Sequence, residues 1–319
     1  MELSVGEQQL PATLHLPIGP PRGALAVLHG SHQGTRRWFL YEHLARLLPP
    51  AGIAVLRYDR RPRIDGRDVP LSAQADDAAA ALDVLRRQVG DVPVGLWGFS
   101  QGSWAAVLTA SRHPVDFLVL VGCSGVSPAR QMRYGTAEQL RRHGYGDADL
   151  AELDRLRGLA EAYLRGGVSR AVAQAEMDAA VERPWFPLAF LPREVSEPGA
   201  WADMDFDPEP IFAALACPVL LCYGETDAWT PIEQSLTVWR RAARDAELTV
   251  ARLAGCDHAP TQGEVGDLGG ISPQYEEVLL SWLDQRLASP PPASCPPDAG
   301  VSGLGEMAER RCRADGRAN

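Results

Sequence analysis

The chain has 319 residues, of which 45% are hydrophobic and 23% charged, enough for one large domain or a domain plus an insertion, with a sizeable core. Its formal net charge of −10 argues against a nucleic-acid binder, which would present a basic face. All 31 basic residues are Arg, so no lysine is present to act as a nucleophile or form a Schiff base.

Two short strands are expected near Leu3–Val5 and Thr13–Leu16. Ala24–His29 (ALAVLH) is an apolar run that reads as a fully buried strand. Trp38–Leu48 has helical spacing and stops before Pro49-Pro50. Ile53–Tyr58 is the next strand, and Leu71–Val89 an Ala-rich helix for which Ser72 is a candidate cap. Val94–Gly98 is a strand running into Phe99-Ser100-Gln101-Gly102. Gln101 to about Arg112 is helical, and Phe117–Val121 is a further buried strand.

The alternation then stops from about Cys123 to Ala216. That segment is rich in Arg, Glu and Ala, with helical stretches near Ala137–Arg142, Leu150–Leu164 and Val168–Val181. It resumes with a strand at Pro218–Tyr223, a helix at Pro231–Arg244, a strand at Leu248–Leu253 and a helix near Gln274–Leu287. Strands alternating with helices indicate an α/β fold: a mostly parallel central sheet with helices on both faces. The expected organisation is a core of residues 1–122 and 217–288, a helical cap insertion at 123–216, and a Pro- and Gly-rich disordered tail at 289–319.

The N-terminal stretch lacks the basic and apolar regions of a signal peptide. No apolar run reaches the ~20 residues needed to span a bilayer, so a cytoplasmic protein is expected. Cys123, Cys217, Cys222 and Cys256 lie in or beside apolar runs and read as buried free thiols. Cys217 and Cys222 would face opposite sides of one strand.

The chemistry centres on Gly98-Phe99-Ser100-Gln101-Gly102, a G-x-S-x-G between a buried strand and a helix. This is the setting of a nucleophile elbow: the glycines let strand and helix approach closely, and Ser100 stands clear on the turn at the positive end of the helix. Among the seven histidines only His258 follows the last strand, in the loop where such sheets collect reactive groups. Asp227 follows the strand PVLLCY and would orient His258, with Glu225 as its competitor. The order Ser, Asp, His suits this fold. Backbone amides of Ser31 and Gln101 are the candidate oxyanion donors. His29 and His32 form a pair without an evident third ligand, so no metal is expected. Trp185, Phe186, Trp201 and Trp229 are candidate substrate-pocket residues, with ordinary packing as the competing reading.

The segments LAVLHGS, VLRYDRR, VGLWGFSQG, PVLLCYGETDAWTP and GCDHAP resemble the α/β-hydrolase superfamily, within the group related to dienelactone hydrolases and prolyl-oligopeptidase-type catalytic domains. The resemblance implies a Ser100–Asp227–His258 triad with amide donors at Ser31 and Gln101. Two departures touch the pocket mouth: Ser31-His32-Gln33 after His29-Gly30, and Arg60-Arg61-Pro62 after Tyr58-Asp59. The expected activity is hydrolysis of a carboxylic ester, lactone or thioester through a Ser100 acyl-enzyme, with no cofactor. An acyltransferase or cyclase using the same triad is the main alternative, and a non-catalytic binding module the third. The expected partner is a small-molecule acyl substrate, with no nucleic acid or membrane; a homodimer is left open.

Overall fold

A computed structural model describes residues 1–31, 34–63, 67–263 and 267–288. The tail expected at 289–319 lies outside these residues, as does His32. Eight strands form one sheet: β1 (Glu2–Val5), β2 (Leu10–His15), β3 (Gly23–Leu28), β4 (Ile53–Tyr58), β5 (Val94–Phe99), β6 (Leu118–Val121), β7 (Val219–Gly224) and β8 (Leu248–Leu253). Their spatial order is β1-β2-β4-β3-β5-β6-β7-β8. β1 and β2 pair antiparallel, as do β2 and β4, and the remaining neighbours are parallel.

β3 to β7 are buried along their whole length, which is why they read as continuous apolar runs rather than as alternations. Their side chains still alternate between two layers. Ala24, Ala26, Leu28, Leu96, Leu118, Leu120, Val219 and Leu221 face one cluster. Leu25, Val27, Trp97, Phe99, Val119, Val121, Leu220 and Cys222 face the other. The first layer is covered by α2 (Leu71–Val89), α3 (Gln101–Ala110) and α8 (Ile232–Ala242), and the second by α1 (Phe39–Leu47) and α9 (Pro273–Leu287).

Between β6 and β7 the chain forms α4 (Pro128–Arg142), α5 (Asp147–Leu164), α6 (Arg170–Ala180) and the short α7 (Glu209–Ala213). α4 begins a full two turns before the stretch the periodicity suggested, because Ser127 caps it and Pro128 occupies its first turn. α4 to α6 and residues 185–195 share a hydrophobic cluster of their own. The last part of this segment instead joins the sheet's first layer, where Phe212 stacks on Trp239 at 3.6 Å.

Cys123, Cys217, Cys222 and Cys256 are unbridged, and burial raises all four thiols. No helix among the described residues is long and apolar enough to cross a membrane.

Ser72 is not the cap of α2. The helix starts after Pro70, and the amide of Leu71 donates to Asp203 Oδ2 at 2.8 Å, from 132 residues away. A side chain of the β6–β7 segment thus satisfies an orphan donor of the core. Asp203→Ala is expected to cost about 1 kcal/mol in urea unfolding, whereas Asp203→Asn, which keeps an acceptor oxygen, should cost little.

Candidate active site

Ser100 sits at the β5–α3 turn with φ 52° and ψ −117°, a left-handed conformation that a non-glycine residue adopts at a cost. The surroundings enforce it. A Cβ on Gly98 would lie 2.6 Å from the Gly102 carbonyl oxygen, and one on Gly102 would lie 2.7 Å from the carbonyl of His29. The turn therefore needs both glycines for strand and helix to meet so closely. The Ser100 amide donates to the Val121 carbonyl at 2.8 Å, and the Ser103 amide to the Ser100 carbonyl at 2.9 Å. The hydroxyl is left at the amino end of α3.

Three sequence-distant side chains converge there. His258 Nε2 lies 2.8 Å from Ser100 Oγ, and His258 Nδ1 lies 3.0 Å from Asp227 Oδ2. With the proton on Nδ1, Nε2 is free to accept from the hydroxyl. The other oxygen of Asp227 accepts from the amides of Trp229 and Thr230 at 2.7 and 2.9 Å. Burial acts to raise the Asp227 carboxyl, but His258 and these hydrogen bonds hold it below the ordinary carboxylate value. Burial likewise acts to lower His258, but the charge and hydrogen bond of Asp227 outweigh it and raise the imidazole.

The competing carboxylates lie elsewhere. Glu225 is exposed. Asp257 accepts from the Ala228 amide at 2.9 Å and pairs with Arg142 of α4 at 2.7 Å. His29 is buried, which lowers its pKa to about 4, and its Nε2 meets the Tyr58 carbonyl at 2.6 Å, so it is a neutral donor in the core; His32 lies outside the described residues.

Ser31 and Gln101 both border the cavity above Ser100. The Gly30 amide is already given to the Tyr41 hydroxyl at 2.9 Å. Arg60 joins the two loops: its guanidinium donates to the Ser31 carbonyl at 2.6 Å and to Gln101 Oε1 at 2.8 Å, while Gln101 Nε2 donates to Asp68 at 3.0 Å. The sequence marked Arg60-Arg61-Pro62 only as a departure; nothing in it showed that Arg60 turns inward while Arg61 pairs with Asp77.

The cavity measures about 820 Å³, within the usual range of small-molecule sites. Trp201 and Trp229 line it, together with Trp38, Trp104 and Phe190. Trp185 and Phe186 do not: they are 1% and 4% exposed within the core of the β6–β7 segment. Aromatic composition alone did not distinguish the lining residues from those that pack the segment behind it.

A family model described as the alpha/beta hydrolase family matches residues 25–265. The chain belongs to the α/β-hydrolase family. It is 30% identical over 245 residues to the 2-hydroxymuconate semialdehyde hydrolase of Pseudomonas sp. (strain CF600), covering 73% of this chain and 80% of that protein. Among solved structures, the proline iminopeptidase of Mycobacterium smegmatis matches with a TM-score of 0.58 at 16% identity, covering 90% of this chain and 98% of that one. A carboxyl esterase of Bacillus coagulans matches with a TM-score of 0.55 at 18% identity, covering the same shares, 90% and 98%. At these identities the two structures share the fold.

The raised imidazole sets a pH expectation for this α/β-hydrolase-family protein. His258 accepts a proton only when neutral, so reactivity is lost as pH falls through its raised pKa. The rate of Ser100 labelling by a fluorophosphonate should rise with pH through a midpoint above the free-imidazole value of about 6.5. Asp227→Asn should move that midpoint down and slow the labelling; a wild-type midpoint below about 6 would contradict the pairing.

Proposed function

We propose that the protein is a serine hydrolase that cleaves a carboxylic ester, lactone or thioester through an acyl-enzyme on Ser100. The observation that carries this reading is the 2.8 Å approach of His258 Nε2 to a serine hydroxyl held on a left-handed strand-to-helix turn. Asp227 keeps His258 in the tautomer that accepts at Nε2. His258 takes the hydroxyl proton as Ser100 Oγ bonds to the substrate carbonyl carbon, and the C=O electron pair moves onto oxygen. The amides of Gln101 and Ser31 stabilise that oxyanion, each worth ~3–4 kcal/mol of barrier. The Gly30 amide is committed to the Tyr41 hydroxyl, which favours Ser31 over Gly30 as the donor in this reading.

Collapse of the tetrahedral intermediate breaks the bond to the leaving group, which takes the proton from His258. Water then adds to the acyl carbonyl, giving its proton to His258, and a second collapse releases the acid and restores Ser100. Arg60 is a positioning residue in this scheme. By holding the Ser31 carbonyl and the Gln101 side chain together it keeps the two donor amides in register.

Residues 123–216 act as a cap over this site in our reading. Trp201 and Phe190 from that segment, with Trp229 from the loop after β7, form apolar walls around the acyl or leaving group.

The test is a panel of 4-nitrophenyl esters, lactones and thioesters. Ser100→Ala should abolish turnover while leaving unfolding unchanged. Arg60→Ala should lower kcat by roughly 10- to 1,000-fold with a smaller change in KM, as expected for loss of donor alignment. Turnover that survives in Ser100→Ala would overturn the proposal. Release of free acid in the presence of an added alcohol or amine would separate hydrolysis from acyl transfer.

A further inference from the structure

The wall of the cavity contains a buried guanidinium with no direct ion-pair partner among the described residues, although the charge of Glu161 one helical turn away still favours its charged form. Arg157, on α5, is 6% exposed and lines the same cavity as Ser100. One of its terminal nitrogens donates to the carbonyls of Ala189 and Phe190, the second at 3.1 Å. Its Nε has no hydrogen-bond partner, and no carboxylate among the described residues lies within 4.0 Å of the guanidinium. Burial lowers its pKa to about 10, so it still carries its charge at neutral pH.

A ready partner stands one turn along the helix but is turned elsewhere. Glu161 could reach Arg157 at i,i+4 spacing. Its oxygens instead accept from Arg133 at 3.0 and 2.9 Å, with Arg165 at 3.6 Å. The other carboxylates bordering the cavity also hold donors: Asp68 has Gln101, Arg60 and Arg63, and Asp203 has the Leu71 amide. The sealed Nε is out of a ligand's reach, but a buried guanidinium charge is costly unless an anion arrives to pair with it, and the terminal N–H groups of its planar fork suit a carboxylate oxygen.

We propose that Arg157 binds a carboxylate carried by the substrate. The substrate class would then be a carboxylate-bearing ester or thioester whose apolar body spans the aromatic wall between Arg157 and Ser100. This rests on the Ser100 hydrolase reading. The exposed Phe190, held at φ 50° and edge-on to Trp229 at 4.9 Å, is placed by the same Arg157 at the edge of that path.

Two matched substrate pairs test it. One is 4-nitrophenyl hydrogen suberate against its methyl ester, with the charge on the acyl side. The other is 3-butyryloxybenzoate against its methyl ester, with the charge on the leaving group. In at least one pair the wild-type enzyme should favour the charged member, and Arg157→Gln should raise KM for that member roughly 10- to 100-fold while hardly moving the neutral one. Arg157→Lys should restore part of the preference. If Arg157 only staples the Ala189–Phe190 backbone, both members of each pair will change together. That result, or preference for the neutral member in both pairs, overturns the proposal.

Calorimetry on Ser100→Ala with each ester reads binding without turnover. Arg157-dependent binding of a charged ester in the absence of any wild-type hydrolysis would uphold the anion site and overturn the hydrolase reading. Hydrolysis without charge preference would do the reverse.

Discussion

The left-handed backbone of Ser100 is the constraint on which the rest of the site depends. At φ 52° the chain leaves β5 and enters α3 with no intervening loop, so the hydroxyl projects from the sheet edge instead of packing into it. That geometry demands a strand buried on both faces, an adjacent helix close enough to exclude a Cβ at Gly98 and Gly102, and a neighbouring strand to take the Ser100 amide. The parallel sheet supplies all three. Its opposite layers are filled by alternating side chains of the same strands, so the turn is anchored on a close-packed base and its strain is held in place by packing.

Around that point the chain uses arginine where a mixed composition would share the work with lysine. Arg60 ties the loop after β3 to the head of α3. Arg142 ties α4 to Asp257 and to the Thr226 carbonyl of the loop carrying Asp227, and Arg133 fixes Glu161 against α4. A planar fork with several donors can hold two acceptors in a fixed relation, which a single ammonium does less well. The same property makes Arg157 conspicuous: it is the guanidinium in the cavity wall with no carboxylate facing it among the described residues.

Much of the fold was legible because buried parallel strands leave an unmistakable local record. IAVLRY coincides with the buried β4; the half-buried edge run LTVARL coincides with β8, and LSAQADDAAAALDVLRRQV with α2. Elements whose limits depend on distant partners were less legible. The cap of α2 comes from Asp203 rather than Ser72, and α4 extends back to Pro128 through a stretch with little apolar periodicity. Trp185 and Phe186 were indistinguishable by composition from Trp201 and Trp229. Which aromatic faces a cavity depends on how α4, α5 and α6 pack, and that is a property of several segments at once.

The sequence by itself marked the chain order of the strands and helices, the G-x-S-x-G turn, and Ser100, Asp227 and His258 as candidates in that order. Each of these is written in a short run of residues, where apolar patterning and steric demands act between near neighbours. Only the tertiary structure brought Asp227, His258 and Ser100 within hydrogen-bonding distance, made Arg60 span the loops of Ser31 and Gln101, and turned Glu161 from Arg157 to Arg133. Those choices depend on distances between side chains far apart in the chain, and a fraction of an ångström separates a hydrogen bond from none.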